Sequence, residues 1–147
     1  MGTSVARNSD ADLSSALRPA LVRITRMLRN QRADQSLTLT HMSALAALNL
    51  NGPMSAGELA AFEKVQPPSM TKILATLEGR ALVRRDAHPS DRRQAIIALT
   101  EKGESLLESE RRSRDAWLNK RVAVLSDEER AVLATAIPVL VKLADQQ

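Results

Sequence analysis

Two neighbouring stretches of this sequence carry residues that could do chemistry, and that chemistry is the binding of phosphate groups. Residues 90–100 place Arg92 and Arg93 at a turn that leads into a β-prone run and then to Thr100, a residue suited to capping a helix. Residues 67–80 begin with small polar side chains and continue with apolar residues at helical spacing. A helix that lies in a DNA groove, followed by a basic hairpin, predicts a winged helix-turn-helix.

The positive charge of the chain is concentrated around these stretches. The net charge of the whole chain is +4, and residues 64–93 alone contain seven basic and three acidic residues. Residues 94–147 are slightly negative. A basic stripe on an otherwise nearly neutral protein is typical of a phosphate-binding surface, and a solvated charged face is the alternative interpretation.

The helix over residues 67–80 supplies the first group of candidate DNA contacts. The residues predicted for its inner face are Met70, Ile73, Leu74 and Leu77. Small outward hydroxyls allow the backbone to approach DNA closely, and a lysine reaches a phosphate or a guanine edge. The outward candidates are Pro68, Ser69, Thr71, Lys72 and Thr76. The alternative is a polar surface helix without a role in binding.

The hairpin supplies the second group of candidates. The guanidinium of Arg93 is planar and always charged, which suits a narrow minor groove, and Asp91 lies two residues before it. An Arg–Asp turn brace without a role in DNA binding is the alternative for this pair. The other arginines of this region are predicted to contact phosphates without reading bases, and they are Arg84, Arg85 and Arg92.

The residue patterns needed for catalysis or metal binding are missing. The chain has no cysteine, and its two histidines do not have metal-ligand spacing. A glycine-rich phosphate loop and a nucleophile motif are also missing. The acidic residues predicted to form a solvated helix face, rather than a catalytic pair, are Glu101, Glu104, Glu108 and Glu110. We therefore expect no enzyme activity, no cofactor and no metal site.

Each histidine has a structural interpretation and a functional one. His41 lies at the predicted first turn of a helix, where it is interpreted as a partly exposed structural residue, with a pH or ligand role as the alternative. His88 lies next to Pro89 in the wing, where a contact with DNA phosphate is the alternative.

Helix signals place these residues on a mostly helical scaffold. Apolar residues at helical spacing predict a first helix over residues 10–33, with Pro19 as a possible kink. Thr40 is predicted to cap a second helix over residues 41–50, and Gly52 follows where that helix stops.

A capping box opens the third predicted helix. Ser55 is followed three residues later by Glu58, and the helix is expected to end near Glu63. Its predicted apolar contacts are Leu59 and Phe62. The turn that follows leads to the helix over residues 67–80 described above.

The remaining elements are a hairpin and two long helices. Residues 82–85 and 94–99 are β-prone and are predicted to pair. Thr100 is predicted to cap a fifth helix over residues 101–125, and a second capping box at residues 126–129 opens a sixth. These elements predict the mainly α class with a small β-hairpin (α+β).

The sixth helix predicts that two chains associate. It is apolar nearly all round from Val132 to Leu143, and one small chain cannot cover such a helix on every side. Residues 10–35 and 101–147 are therefore predicted to form the helical dimerisation region of an intertwined homodimer. Residues 36–100 are predicted to form the winged helix-turn-helix, with its recognition helix at about 67–80 and its wing at about 82–99. Trp117 is predicted to lie in the dimer core, with a ligand pocket as the alternative.

Three of these stretches together resemble the MarR family of bacterial transcription regulators. They are residues 55–60, residues 68–85, and the wing signature formed by Asp91 and Arg93 with Leu99-Thr100. The resemblance implies Ser69, Thr71 and Lys72 in the major groove of a double-stranded DNA operator, and Arg93 in the minor groove with Asp91 holding it. Relatives often have glycine at the position of Ala81, so either this alanine or Gly79 is expected in the left-handed conformation.

The resemblance also implies a small ligand and a cellular location. Many relatives bind aromatic or phenolic acids between their dimerisation and DNA-binding regions, which weakens their hold on DNA. The candidates for such a site here are Arg23, Arg26, His41 and Trp117. Residues 1–6 have no signal-peptide pattern, and no run of about 18 apolar residues occurs, so we expect a bacterial cytoplasmic protein without a membrane segment.

The predicted function is sequence-specific DNA binding by a transcriptional regulator, a repressor that binds a pseudo-palindromic operator as a dimer and is released by a small aromatic ligand. Two alternatives stay open. One is a ligand-independent activator or anti-silencer, and the other is a winged helix that serves as a protein-interaction module.

Overall fold

Six helices and a three-stranded antiparallel sheet make up residues 10–145, the part of the chain that the computed structural model describes. The helices are α1 (Asp10–Arg29), α2 (Leu39–Asn51), α3 (Ala56–Phe62), α4 (Pro67–Gly79), α5 (Glu101–Val122) and α6 (Asp127–Asp145). The strands are β1 (Met54–Ser55), β2 (Val83–Ala87) and β3 (Ala95–Leu99). The prediction of a mainly α fold with a β-hairpin wing is confirmed.

The described chain forms two units, and the apolar core lies in one of them. Residues 32–113 form the first unit, and residues 10–31 with 114–145 form the second. All residues that are fully covered in residues 10–145 lie in the first unit. The largest buried apolar side chains of this core are Leu37, Leu45, Leu59, Met70, Leu74, Leu77 and Ile97.

The sheet has the order β1-β3-β2, so the sequence prediction of a two-stranded hairpin was incomplete. Val83 pairs with Leu99 and Ala87 with Ala95, which confirms the wing hairpin. Met54 of β1 pairs with Ile97 on the other side of β3. β1 has only two residues, and so short a strand has no alternation that a sequence pattern could reveal.

The cap of α2 differs from the sequence prediction, because Thr38 and not Thr40 occupies that position. The backbone N–H of His41 donates to the Thr38 hydroxyl at 3.3 Å, and the His41 Nδ1 accepts from the Thr38 backbone N–H at 3.1 Å. A reciprocal pair of this kind satisfies two backbone donors that a helix otherwise leaves free. At the other end, Gly52 has φ 80° and donates its N–H to the carbonyl of Leu48.

The third helix begins as predicted. The Ser55 hydroxyl accepts from the Glu58 backbone N–H at 3.2 Å, and the Glu58 carboxylate accepts from the Ser55 backbone N–H at 2.7 Å. Leu59 is buried, whereas Phe62 is half exposed, so the prediction of an apolar contact at Phe62 was wrong. The short helix turns only its other face toward the core.

The recognition-type helix α4 ends in a left-handed residue that is not glycine. Ala81 has φ 57°, and the N–H of Leu82 donates to the carbonyl of Leu77 at 2.9 Å. Both leucines are buried, as in the hydrophobic contact that accompanies this type of helix end. Of the two predicted alternatives, Ala81 rather than Gly79 therefore takes the left-handed position.

The start of α5 packs very closely on the chain before β2. The Thr100 hydroxyl accepts from the Gly103 backbone N–H at 3.1 Å, which confirms the predicted cap. Gly103 is buried, and a Cβ atom built on it would lie 2.2 Å from the carbonyl oxygen of Leu82. Only glycine allows this approach without a shift of the backbone.

Two helices are shorter than predicted. α1 ends at Arg29 rather than residue 33, because the following residues belong to a loop bonded to α5. α5 ends at Val122 rather than residue 125. In the turn that follows, the Arg130 guanidinium donates to the carbonyl of Leu125 at 2.7 Å. The predicted capping box of Ser126 and Glu129 at the start of α6 is confirmed.

The second unit leaves most of its apolar side chains exposed within one chain. Neither α1 nor α6 has a buried residue. The exposed apolar residues of α6 are Val132, Leu133, Ile137, Val139, Leu140, Val141 and Leu143. None of the helices within residues 10–145 is long and apolar enough to cross a membrane.

Candidate nucleic-acid interface

The first turn of α4 is built so that small groups stand at its exposed end. Pro67 and Pro68 occupy the first helical positions, where a missing N–H costs nothing. The N–H groups of Ser69 and Met70 donate to the carbonyl of Gln66 at 2.9 and 3.0 Å. The turn is therefore complete without a side-chain cap, and the outward side chains are not needed for it.

The outward face of α4 has the polar residues that the sequence predicted. Ser69, Thr71, Lys72 and Thr76 are exposed, and the four predicted inner residues are buried. The hydroxyls of Thr71 and Thr76 donate to carbonyls one turn back along α4. Within residues 10–145, the structure gives Ser69 and Lys72 no side-chain hydrogen bond or ion pair, so both are available to a ligand.

The tip of the wing is ordered by a histidine and an aspartate. The His88 Nδ1 accepts from the backbone N–H groups of Ser90 and Asp91, each at 3.2 Å. The Asp91 carboxylate then accepts from the Arg93 backbone N–H at 3.0 Å. These contacts support the structural interpretation of His88, because its ring holds the turn from inside.

Arg93 is the most exposed cation that the wing holds in a defined place. Its side chain is 92% exposed, and its Nε lies 3.4 Å from the Asp91 carboxylate. A weak contact at this distance orients the guanidinium without covering it. Arg92 is also exposed. The wing therefore presents two cations to solvent at its tip.

The two arginines of β2 are held by internal ion pairs. The Nε of Arg84 lies 3.0 Å from the Asp86 carboxylate, and its Nη1 donates to the carbonyl of Leu99 at 2.6 Å. The Nε of Arg85 lies 2.5 Å from the carboxylate of Glu78, a residue of α4. This second pair joins the wing to α4, and both arginines have less freedom to reach a phosphate than Arg92 and Arg93.

The prediction of a fully solvated acidic face on α5 was wrong at Glu110. Its side chain is 0% exposed, and Oε1 accepts from the backbone N–H groups of Ala33 and Asp34 at 2.9 and 3.1 Å. Gly103 and the partly buried Leu106 and Leu107 precede it at helical spacing. That spacing is the signal that could have placed Glu110 on the inner face.

The contacts of His41 in the capping box of α2 support its structural interpretation. It is partly buried, and burial together with the nearby positive charge of Arg80 lowers the pKa of its imidazole. A lowered pKa keeps the ring neutral near pH 7, and a neutral Nδ1 is what accepts the N–H of Thr38.

The other candidate ligand residues lie in the second unit. Arg23 and Arg26 are exposed on α1. Trp117 is partly buried on α5, and the guanidinium carbon of Arg121 lies 3.8 Å from its ring centre, a cation–π contact. Within residues 10–145, the structure has no cluster of three acidic, histidine or cysteine side chains that could hold a metal ion.

A cavity of about 280 Å³ lies in the first unit, and its lining includes none of the four candidate ligand residues. It opens between the end of α2, strand β3 and the start of α5. Its lining includes Leu48, Gly52, Pro53, Arg84, Leu99 and Glu104. The guanidinium of Arg84 is already bonded to Asp86 and to the carbonyl of Leu99.

Comparison with known proteins gives one consistent family. The sequence model of the MarR family matches residues 37–95. An HTH-type transcriptional regulator of Mycobacterium tuberculosis is 39% identical over 139 residues, which cover 95% of this chain and 97% of that protein. The HTH-type transcriptional repressor NicR of Pseudomonas putida is 37% identical over 93 residues, or 63% of this chain and 59% of the repressor.

A solved structure extends the likeness to nearly the whole chain. The crystal structure of a putative transcriptional regulator from Pseudomonas aeruginosa superposes with a TM-score of 0.83 and 31% identity. The superposition covers 95% of this chain and 99% of the other. The similarity therefore includes the terminal helices as well as the helix-turn-helix and the wing.

Proposed function

The chain belongs to the MarR family of DNA-binding transcription regulators, and from this premise we propose that it is a repressor that reads a pseudo-palindromic operator as a homodimer. The observation that carries the proposal is the exposure of two groups in one unit. Ser69 and Lys72 are unbonded on α4, and Arg93 is held at the tip of the wing. The Arg85–Glu78 ion pair connects the elements that bear them.

In this proposal α4 lies in the major groove and reads bases. Ser69 and Thr71 let the helix approach closely, and Lys72 reaches a guanine edge or a phosphate. Pro68 and Thr76 border this surface. The outward side chains of α4 are not needed for packing, because four buried apolar residues on its inner face contact the core.

The wing contacts the duplex beside α4 and supplies charge. Arg93 enters the minor groove, where a narrow width increases the negative potential, and the contact of its Nε with the Asp91 carboxylate sets its direction. Arg92 contacts a phosphate, and Arg84 and Arg85 contribute from β2 after their internal ion pairs rearrange. These contacts hold the protein on DNA but carry little sequence information.

Two copies are required for a pseudo-palindrome. The exposed apolar faces of α1 and α6 support association of two chains, since a single chain leaves them in water. A two-fold dimer places two copies of α4 in successive major grooves, about 10 base pairs apart. The similarity to a named repressor supports repression as the direction of control. A protein that binds the genomic DNA of a bacterium acts in the cytoplasm, so we propose that location.

Release by a small aromatic or phenolic acid is the second part of the proposal. Within the second unit, Arg23 and Arg26 offer cations for a carboxylate, and Trp117 offers a flat ring surface. His41 is a separate candidate in the first unit. Titration calorimetry with salicylate-like acids at millimolar concentration tests it. Heat of binding together with a weaker gel shift supports release, whereas no heat and an unchanged shift favour a ligand-independent activator or anti-silencer.

The test of DNA binding begins with selection. Wild-type protein captures fragments from a genomic or random library, and gel shifts then compare the selected sequence with random DNA at 50 and 200 mM salt. Phosphate-driven binding falls by about 10³ or more over this range for six or more phosphate contacts. A chain that captures no DNA, or whose binding is indifferent to salt, is a protein-interaction module and not a regulator of this kind.

Substitutions separate the reading of bases from the binding of charge. Arg93→Ala is expected to cost about 1–3 kcal/mol of binding free energy and to lower the salt slope by about one. Asp91→Ala mimics it in part. Ser69→Ala and Lys72→Ala weaken the selected sequence more than random DNA. Arg112→Ala removes a charge from α5 as the matched control and leaves binding unchanged.

A further inference from the structure

Glu110 is a buried carboxylate that the proposed DNA contacts do not use. It lies on α5 and is fully covered, and its Oε1 accepts from the N–H groups of Ala33 and Asp34. Burial of a carboxylate is costly unless strong hydrogen bonds replace its water. The bonds thus tie the loop between α1 and α2 to α5.

That loop holds the residue that directly follows α4. The Asp34 Oδ2 accepts from Arg80 Nη2 at 2.7 Å, and Arg80 Nη1 donates to the Ser36 hydroxyl. Asp34 Oδ1 accepts from the Ser36 backbone N–H at 2.8 Å. The Lys102 ammonium, on α5, donates to the backbone carbonyl of Arg80 at 2.8 Å. Arg80, at the end of α4, is thus held through both its side chain and its backbone carbonyl.

The charges of this cluster are satisfied within the protein. Hydrogen bonds from the Ser36 side chain and backbone, followed by the charge of Arg80, lower the pKa of Asp34, so its carboxylate stays ionised at neutral pH. The Arg80 side chain is only 38% exposed, and its guanidinium donates to two loop partners. Its fork geometry is committed to the loop instead of to a phosphate.

We propose that Asp34 and Arg80 are positioning residues, which set the angle at which α4 presents its outward face to DNA. Glu110 holds the loop through two hydrogen bonds, and Asp34 and Ser36 of that loop bind Arg80. These contacts fix the C-terminal end of α4, while its first turn contacts the bases. The inference rests on the proposed function, because it concerns how well α4 reads a sequence.

Positioning and charge predict different losses. A helix that is no longer held at one angle loses hydrogen bonds to base edges, whereas its cations can still contact phosphates. Asp34→Asn is therefore expected to weaken binding to the selected sequence roughly tenfold, the size of one lost base contact. Binding to random DNA and the salt slope stay unchanged.

The experiment uses full-length protein and the DNA selected by the wild type. Arg80→Met keeps the length of the side chain without its charge, and Arg80→Lys keeps the charge and one bond to Asp34. The ratio of affinities for selected and random DNA is expected to fall for Asp34→Asn and Arg80→Met alike, and to recover largely in Arg80→Lys. The double variant is expected to lose no more than either single variant, since both remove one interaction.

Two controls keep structure and assembly apart from positioning. Glu108→Gln breaks the exposed ion pair with Arg111 on α5 and is expected to leave the affinity ratio at the wild-type value. Melting curves and light scattering confirm that each variant is folded and assembled before its DNA binding is compared. Glu110 is left intact, because its side chain is fully buried and its loss leaves the N–H groups of Ala33 and Asp34 without this acceptor, which endangers the fold.

Each outcome has one meaning. If wild-type protein selects no DNA, the proposed function fails. If it selects DNA and Asp34→Asn binds every DNA as the wild type does, the positioning role is overturned while the function stands. If Asp34→Asn binds all DNA more tightly with a salt slope about one unit steeper, Asp34 screens Arg80 from phosphate and positioning is likewise overturned.

Discussion

The two units of this protein differ in how far they bury their apolar side chains. Residues 32–113 cover a core made by α2, α3, α4 and the sheet within one chain. The unit of residues 10–31 and 114–145 has no fully covered side chain, although α6 is rich in valine, leucine and isoleucine. The first unit has the burial that a stable fold needs, and the second exposes apolar surface within one chain, which supports the proposed dimer.

The difference follows from how apolar residues are spaced. On α4 they occupy one stripe and leave a polar face exposed to solvent, so one neighbouring layer is enough to cover them. On α6 they occupy nearly every side from Val132 to Leu143. A helix of that kind has no polar face to turn to water, and only covering from several directions satisfies it. We therefore propose separate surfaces for reading DNA and for assembling the dimer.

The largest expected effect on the difference between the two units comes from two charged substitutions on α6. Leu133 and Ile137 are one turn apart and 46% and 58% exposed in one chain. Leu133→Arg with Ile137→Arg is expected to weaken dimerisation at least about 100-fold, because unpaired charges would enter an apolar interface. Light scattering should fall from about twice the 16.1 kDa chain mass toward one chain, or show aggregates.

The control for that experiment lies in the other unit. Leu50 is 79% exposed at the end of α2, and Leu50→Arg makes the same chemical change outside α6. Its mass should remain that of the wild type. A double α6 variant that stays dimeric and well folded would contradict the proposed dimer surface.

Inside the first unit the largest expected effect is steric. Gly103→Ala places a Cβ 2.2 Å from the Leu82 carbonyl oxygen, and the shift needed to relieve it should lower the free energy of unfolding by about 1–3 kcal/mol. Gly79→Ala is the matched control, since a Cβ there meets nothing within 4 Å. It should raise stability by up to about 1 kcal/mol. Urea titration at one protein concentration measures both, and equal effects would show that the close approach is not maintained.

A smaller effect of opposite sign is expected at the end of α4. Ala81 has φ 57°, which costs an L-residue about 1–2 kcal/mol, and glycine avoids that cost while adding freedom to the unfolded chain. Ala81→Gly should therefore stabilise the protein by about 0.5 kcal/mol. Ala75→Gly, at an exposed position within α4, should destabilise it by about 1 kcal/mol. Thermal melting distinguishes the two signs.

The smallest expected effect is a dependence on pH at the start of α2. The pKa of folded His41 lies below its ordinary value of 6.5, mainly because the ring is partly buried. The folded state therefore binds this proton less readily than the unfolded state does, so stability is complete above pH 6.5 and falls as the pH decreases below it. Protonation also removes the acceptor for the Thr38 N–H.

His41→Gln tests this dependence, because glutamine also suits the capping box and does not titrate. The melting temperature of the wild type should fall more between pH 7.5 and 5.5 than that of the variant. Parallel curves would mean that the lowered pKa of His41 has no effect on folding.

Local patterns were sufficient to predict much of the first unit. The inner face of α4, the capping boxes at Ser55 and Ser126, and the pairing of β2 with β3 each depend on residues a few positions apart. Helix periodicity, caps and strand propensity act over that range, so a single chain reveals them. The exposed candidates of α4 and the wing were predicted for the same reason, and their role in DNA binding stays a prediction.

Contacts between distant parts of the chain could not be predicted in this way. Glu110 reads as one more charged residue of a helix until the loop at Ala33 supplies two N–H groups to it. Arg85 reads as a free cation until Glu78 of α4 pairs with it. Such pairings depend on which elements pack together, and packing is set by the whole core and not by spacing along the sequence.

The sequence of this protein was thus enough to establish its family, its mainly helical class and the face of α4 that meets water, because these depend on short-range spacing and side-chain type. Folding decided which of its charges are free. Arg93 remains exposed at the wing tip, whereas Arg80 and Arg85 are held by carboxylates that the fold brings to them from other elements. Arg84 is held by Asp86 of the same strand and by the carbonyl of Leu99 on the neighbouring strand. The reason is physical, since a charge that is partly removed from water is stabilised where an opposite charge or a hydrogen bond replaces that water.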